Sequence, residues 1–131
     1  MVNCQTLIKR SDFQNLTHKS QAFKTPAFIL LYAPYTGEEA AQKNLPPNTV
    51  RIGYTATKRS IGNAVKRNRA KRRLRALADA FMRLNPQLEL PEGVQNADVV
   101  FIARHSIADI PHTQLEADMQ KTLGKMGCKF A

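Results

Sequence analysis

The chain has 131 residues, a length that suits one compact domain spanning 1–131 and large enough to bury a core without metal or disulfide staples. Hydrophobic residues make up 43% of it and charged residues only 23%, which excludes a disordered polyelectrolyte. With 20 Lys and Arg against 10 Asp and Glu the formal charge is +10, so the expected partner is a polyanion, and since no apolar run approaches the ~20 residues of a spanning helix, that polyanion is not a membrane.

Residues 1–20 lack the apolar centre of a signal peptide, and the expected location is the cytoplasm. Cys4 and Cys128 lie at opposite ends without the close pairing of a zinc or redox site. They read as two reduced thiols, with a terminus-to-terminus disulfide as the alternative.

In chain order, periodicity and punctuation give three helices and about four strands. Ser11-Asp12-Phe13-Gln14 has the form of a capping box, which starts a short helix over 12–19. Its apolar side is only Phe13 and Leu16, so it is expected to lie on a sheet. Residues 22–35, rich in Phe, Ile, Leu and Tyr, read as strand, with Pro26 as a break because proline donates nothing to a ladder.

Residues 36–49 hold Gly37, Pro46, Pro47 and Asn48 without periodicity and read as a surface connection. Val50, Ile52, Tyr54 and Ala56 then alternate with Arg51, Gly53, Thr55 and Thr57, the period of a half-buried strand. A helix of roughly 35 Å is expected over 61–84, with the apolar stripe Ala70, Leu74, Leu77, Ala78, Phe81 and Leu84. The run over 97–104 reads as a central strand covered on both faces. Thr113-Gln114-Leu115-Glu116 reads as a second capping box, opening a helix that carries Leu115, Met119, Leu123 and Met126 and stops near Gly127.

The charge is concentrated. Between Lys58 and Arg75, nine of eighteen residues are basic and none is acidic: Lys58, Arg59, Lys66, Arg67, Arg69, Lys71, Arg72, Arg73 and Arg75. Setting these nine aside leaves 11 basic against 10 acidic residues, so the positive charge is one feature. Arg69, Arg72 and Arg75, joined by Asn68, fall opposite the apolar stripe, while Lys66 and Arg67 sit on the side that later becomes apolar, so that end is expected to project or to line a cleft. A solvated basic face is the bland reading. Against it, like charges at helical spacing repel without an acidic partner at i+4, and six Arg to three Lys favours forked hydrogen bonding to phosphate.

A catalytic site of the chain's own is not expected. A two-metal nuclease needs converging carboxylates, and the acids here are scattered outside the basic segment. His18, His105 and His112 form no ligand pair and read as surface or loop residues. Tyr32, Tyr35 and Tyr54 could stack on bases, but in apolar strands they read first as core. No phosphate loop, nucleophile elbow or zinc signature is present.

The run Gly62-Asn63-Ala64-Val65-Lys66-Arg67-Asn68-Arg69-Ala70-Lys71-Arg72-Arg73-Leu74-Arg75 resembles the RNR signature of the bacterial ribonuclease P protein family. Ser11-Asp12-Phe13-Gln14, Arg51-Ile52-Gly53 and Ile102-Ala103-Arg104 resemble the family's other landmarks in the same order, so the resemblance covers almost the whole chain. Thr17 departs from it, standing where a second aromatic is expected four residues after Phe13. The run from Lys58 to Gly62 is one residue longer than the family spacing.

The resemblance implies an α/β two-layer sandwich of order αβββαβα, ribosomal protein S5 domain 2-like, with about four strands in a mixed sheet and a left-handed βαβ crossover. General rules would give a right-handed one. It implies an accessory subunit of an RNA enzyme, assisting endonucleolytic removal of the 5′ leader of precursor tRNA. The partners are ribonuclease P RNA and precursor tRNA, with no small-molecule substrate. No cofactor is expected on the protein, and Mg²⁺ is expected at the RNA. The RNA-binding set is Lys58, Arg59, Lys66, Arg67, Asn68, Arg69, Lys71, Arg72, Arg73 and Arg75; the leader-binding set is Phe13, Arg67, Asn68 and Lys71. The alternative is a structural RNA-binding protein of the ribosome. A DNA-binding regulator would want a short recognition helix and a dimer surface, and neither is evident.

Overall fold

The computed structural model describes residues 2–6 and 20–129. The expected helix at 12–19, with Phe13, Thr17 and His18, lies outside the described residues.

Five strands form one mixed sheet: β1 (Asn3–Thr6), β2 (Gln21–Lys24), β3 (Phe28–Pro34), β4 (Thr49–Thr55) and β5 (Asn96–Ala103), in the order β1-β4-β5-β3-β2. β4 runs parallel to both β1 and β5, whereas β3 is antiparallel to both β5 and β2. The expectation of about four strands is therefore corrected to five, and the described elements do not reproduce the order αβββαβα. The unforeseen strand is β1. Its four residues, Asn-Cys-Gln-Thr, carry no apolar alternation because the strand sits at an edge and only Cys4 packs against the core.

The stretch over 22–35 divides where Pro26 stands, giving the β2–β3 hairpin. Thr25 holds the turn: its hydroxyl donates to the Phe28 carbonyl at 2.9 Å and accepts from the Phe28 amide at 3.0 Å. The surface connection over 36–49 needs a second correction, since it contains helix α1 (Gly37–Gln42). Thr36 caps it, accepting from the Glu39 amide at 3.2 Å while the Glu39 carboxylate accepts from the Thr36 amide at 3.3 Å. That reciprocal pair is a capping box that Gly37 and the two prolines outweighed in the composition.

The helix expected over 61–84 is built from three pieces. Helix α2 (Lys58–Ile61) ends at Gly62, whose φ of 114° is open to glycine and strained for other residues. Asn63 then caps helix α3 (Ala64–Ala78), its side chain accepting from the Lys66 amide at 3.0 Å. A π-helical turn at Asp79–Arg83 continues α3. Such a turn inserts extra backbone and rotates the inward face. Met82 is consequently fully buried, and Leu84, expected on the stripe, is 60% exposed.

Helix α4 (His112–Met126) ends as expected at Gly127, φ 94°. Its start differs: Pro111 is the N-cap and no side chain caps the helix, so Thr113 lies inside the first turn rather than before it. α3 and α4 share one core with the sheet, joining Leu74, Leu77, Met119 and Leu123 to Leu30, Val50, Val99 and Phe101. Val100 and Ala33, with Leu31 and Ile102 beside them, form a smaller cluster on the other face of the sheet. β5 is buried along nearly its whole length, as its continuous apolar run requires.

Candidate nucleic-acid interface

α3 links the parallel neighbours β4 and β5, so the central ladder of the sheet fixes both of its ends. Ala70, Leu74, Leu77 and Ala78 anchor it to the core, and the remaining faces present the cations. Six of the nine basic residues are exposed: Lys58, Arg59, Lys66, Arg69, Arg72 and Arg75. Asn68 is exposed between them, and so is Val65, at 63%. Arg67 and Lys71, one helical turn apart on the same flank, are half-buried. The Arg67 Nε is buried without a hydrogen-bond partner.

Two cations of the expected RNA-binding set are engaged within the protein. Arg73 donates through Nη1 to the Ile107 carbonyl and through Nη2 to the Ile110 carbonyl, the latter at 2.8 Å. It thereby ties α3 to the 3₁₀ turn at His105–Ala108 and to the approach to α4. Arg75 lies over the Tyr54 ring, 5.3 Å from its centroid, and Tyr54 is in turn stacked on Phe101 at 5.9 Å. Lys58 and Arg59 occupy the first turn of α2, where the Thr57 hydroxyl accepts from the Ser60 amide.

Among the described residues, three concavities flank this helix. A cavity of about 260 Å³ lies between α3 and the 3₁₀ turn, with Lys66, Arg69, Arg73 and His105 in its walls. A second, of about 370 Å³, brings Arg59 and Ser60 of α2 to Arg104 and His105, above Ile29 and Ile102 of the sheet. A third, of about 210 Å³, lies beside β1 and holds Cys4, Tyr54, Arg75 and the Asp79–Arg83 ion pair. Arg104 and His105 were not anticipated as part of this surface. In the sequence Arg104 figures only as the end of the Ile102-Ala103-Arg104 landmark and His105 as a loop residue, and only the pairing of β5 with β3 and β4 brings that point to α2.

The tyrosines keep structural roles. Tyr32 is buried, Tyr54 packs on Phe101, and Tyr35 joins an ion pair between Arg51 and Asp98. Burial pushes the Tyr54 hydroxyl up to about 12. Cys4 and Cys128 are free thiols, each raised to about 11 by burial. His105 and His112 are exposed. Among the described residues no three His, Cys, Asp or Glu side chains come together in a way that could hold a metal ion, and no helix is long and apolar enough to cross a membrane.

A family model described as Ribonuclease P matches residues 1–127. The ribonuclease P protein component of Paramagnetospirillum magneticum is 32% identical over 122 residues, covering 92% of this chain and 81% of that one. That of Nitratiruptor is 30% identical over 126 residues, covering 96% and 95%. Among solved structures, the RNase P protein of Thermotoga maritima superposes with a TM-score of 0.65 at 18% identity, covering 92% of this chain and 96% of that one. The Staphylococcus aureus protein gives 0.64 at 21%, covering 93% and 96%. These relatives lend no support to a structural protein of the ribosome. The chain belongs to the bacterial ribonuclease P protein family, the protein components of an endoribonuclease whose catalysis is carried by RNA.

Proposed function

We propose that this subunit docks on ribonuclease P RNA through the outer face of α3 and holds the 5′ leader of precursor tRNA along the neighbouring flank. The observation that carries the reading is the arrangement of the basic segment: six exposed cations and no carboxylate over α2 and α3, four of them on α3, whose opposite side is locked into the core. Lys58, Arg59, Lys66, Arg69, Arg72 and Arg75, with Asn68, supply the phosphate-facing surface. Arginine forks and the Asn68 amide suit phosphate and ribose oxygens, and each neutralised phosphate releases condensed counterions.

Arg67, Asn68 and Lys71, together with Phe13, are assigned to the leader. Arg67 and Lys71 are half-buried cations on one flank of α3, and Phe13 offers a stacking face worth about 1–3 kcal/mol to an unpaired base. Mature tRNA has no leader and gains neither contact. In this reading the chain supplies charge neutralisation and positioning, Mg²⁺ is held by the RNA, and no cofactor or small-molecule substrate belongs to the protein. A cytoplasmic location is kept from the reading of the sequence, and a left-handed β4–α3–β5 crossover is carried over from the family resemblance.

Changing Phe13 to Ala tests the leader assignment. Precursor tRNA should bind the reconstituted holoenzyme less tightly, by about five- to 150-fold on the stacking range above, while mature tRNA binding and assembly with the RNA stay nearly unchanged. Equal losses for both tRNAs would remove Phe13 from the leader site.

A further inference from the structure

The cavity between the first half of α3 and the turn at residues 104–110 differs from the open basic surface around it. Its floor is apolar: Ala70 and Ile107 are 3% and 2% exposed, and Ile61 stands beside them. Its rim is polar, with Lys66 and Arg69 on α3 and His105 and Asp109 on the turn, all exposed. The two Arg73 hydrogen bonds to the Ile107 and Ile110 carbonyls hold the turn against the helix, so the gap is set by fixed backbone.

We propose that this cavity takes one unstacked nucleotide of single-stranded RNA, its base inserted between α3 and the turn and its phosphate at the rim. The inference rests on the RNA-docking reading of α3 and adds a specific pocket to it. A phosphate alone would use Lys66 and Arg69 and leave the apolar floor wet, whereas a base has a flat apolar face to cover that floor. A volume of about 260 Å³ accommodates one base. His105 supplies an aromatic ring at the mouth, the residue type that stacks on splayed bases, and the Asp109 carboxylate is an acceptor for the amino or imino N–H of a base edge. Arg69 belongs both to this rim and to the exposed face with Asn68 and Arg72, so a strand lying on α3 passes the mouth of the cavity.

The donor strand is either the catalytic RNA or the precursor leader, and one variant separates them. Ala108 is exposed, lines the cavity and carries no charge. Ala108→Trp fills the space without removing a cation. With the full-length chain and transcribed ribonuclease P RNA, we expect affinity to fall about tenfold, the slope of log K against log salt to stay unchanged, and one nucleotide protected from a base-reactive probe by the wild-type chain to become reactive. If the nucleotide belongs to the leader, the loss and the changed reactivity instead appear only when precursor tRNA binds the assembled holoenzyme. Ala108→Leu, a smaller plug at the same exposed position, should give a lesser loss in the same direction with an unchanged melting temperature, which separates occlusion from misfolding. Wild-type affinity of both variants for both RNAs, with unchanged base reactivity, would overturn the proposal. A wild-type chain that failed to bind ribonuclease P RNA would sink the docking reading, and this inference with it.

Discussion

Arg51 on β4 and Asp98 on β5 stand opposite one another in the parallel ladder and are joined by two hydrogen bonds of 2.8 Å, from Nε to Oδ1 and from Nη2 to Oδ2. Tyr35 closes the cluster by donating to the Asp98 carboxylate and accepting from Arg51. Burial and the neighbouring carboxylate raise the Tyr35 hydroxyl above its ordinary range, so it stays protonated. The side chains of Arg51 and Asp98 are 13% and 4% exposed, which makes this a desolvated forked pair at the centre of the sheet. Removing one partner strands a charge, whereas removing both does not. Asp98→Ala should therefore cost about 3–5 kcal/mol in urea unfolding, and the double change Arg51→Met with Asp98→Leu should cost clearly less. Equal losses would show that the pair's charges are not what the site depends on.

The cations of α3 should separate by salt dependence. Arg69 and Arg72 are exposed on the outer face, so changing both to Ala should weaken RNA binding and flatten the slope of log K against log salt by roughly one to two units. Arg73 is bonded to two carbonyls of its own chain. Arg73→Leu should leave that slope nearly unchanged and instead lower stability by about 1–3 kcal/mol, through carbonyls left unsatisfied. A full unit lost from the slope in Arg73→Leu would put its guanidinium on a phosphate.

Stability should decline on the alkaline side. Burial raises Cys4 and Cys128 from 9.0 to about 11, and Tyr32 and Tyr54 from 10.0 to about 12. A folded-state pKa above the unfolded one means that the folded chain holds its proton more tightly. That contribution is complete below the unfolded value and is lost as pH rises through the folded value. The melting temperature should accordingly fall from pH 9 upward, first through the thiols and then through the tyrosines. Cys128→Ala should soften the first part of the fall, and an unchanged profile in that variant would assign the decline to other groups.

The basic segment and the sheet-forming runs were legible because each is a strong local signal: nine cations without an acid, and β4 and β5 with clear apolar patterns. What escaped has weak local signals or depends on distant pairing. β1 is a four-residue edge strand that owes its place to the parallel register Cys4 with Val50. The capping box at Thr36 and Glu39 was readable but lay among helix breakers. The π turn at Asp79–Arg83 has no sequence marker, and it buries Met82 fully while leaving Phe81 only partly buried against the core and Leu84 exposed. Arg73 resembled its neighbours in the basic run, and only the folded position of Ile107 and Ile110 shows that it faces its own chain. The site's cations were thus visible as a group, while their individual partners required the fold.

The central claim is that this chain acts through an RNA that carries the catalysis. The direct measurement is leader release from precursor tRNA at limiting Mg²⁺ by the purified chain alone, by ribonuclease P RNA alone, and by the two reconstituted together. The expected result is no cleavage by the chain alone, slow cleavage by the RNA, and faster cleavage with a raised preference for precursor over mature tRNA when both are present. Leader release by RNA-free protein, or reconstitution with no gain over the RNA alone, would contradict the account.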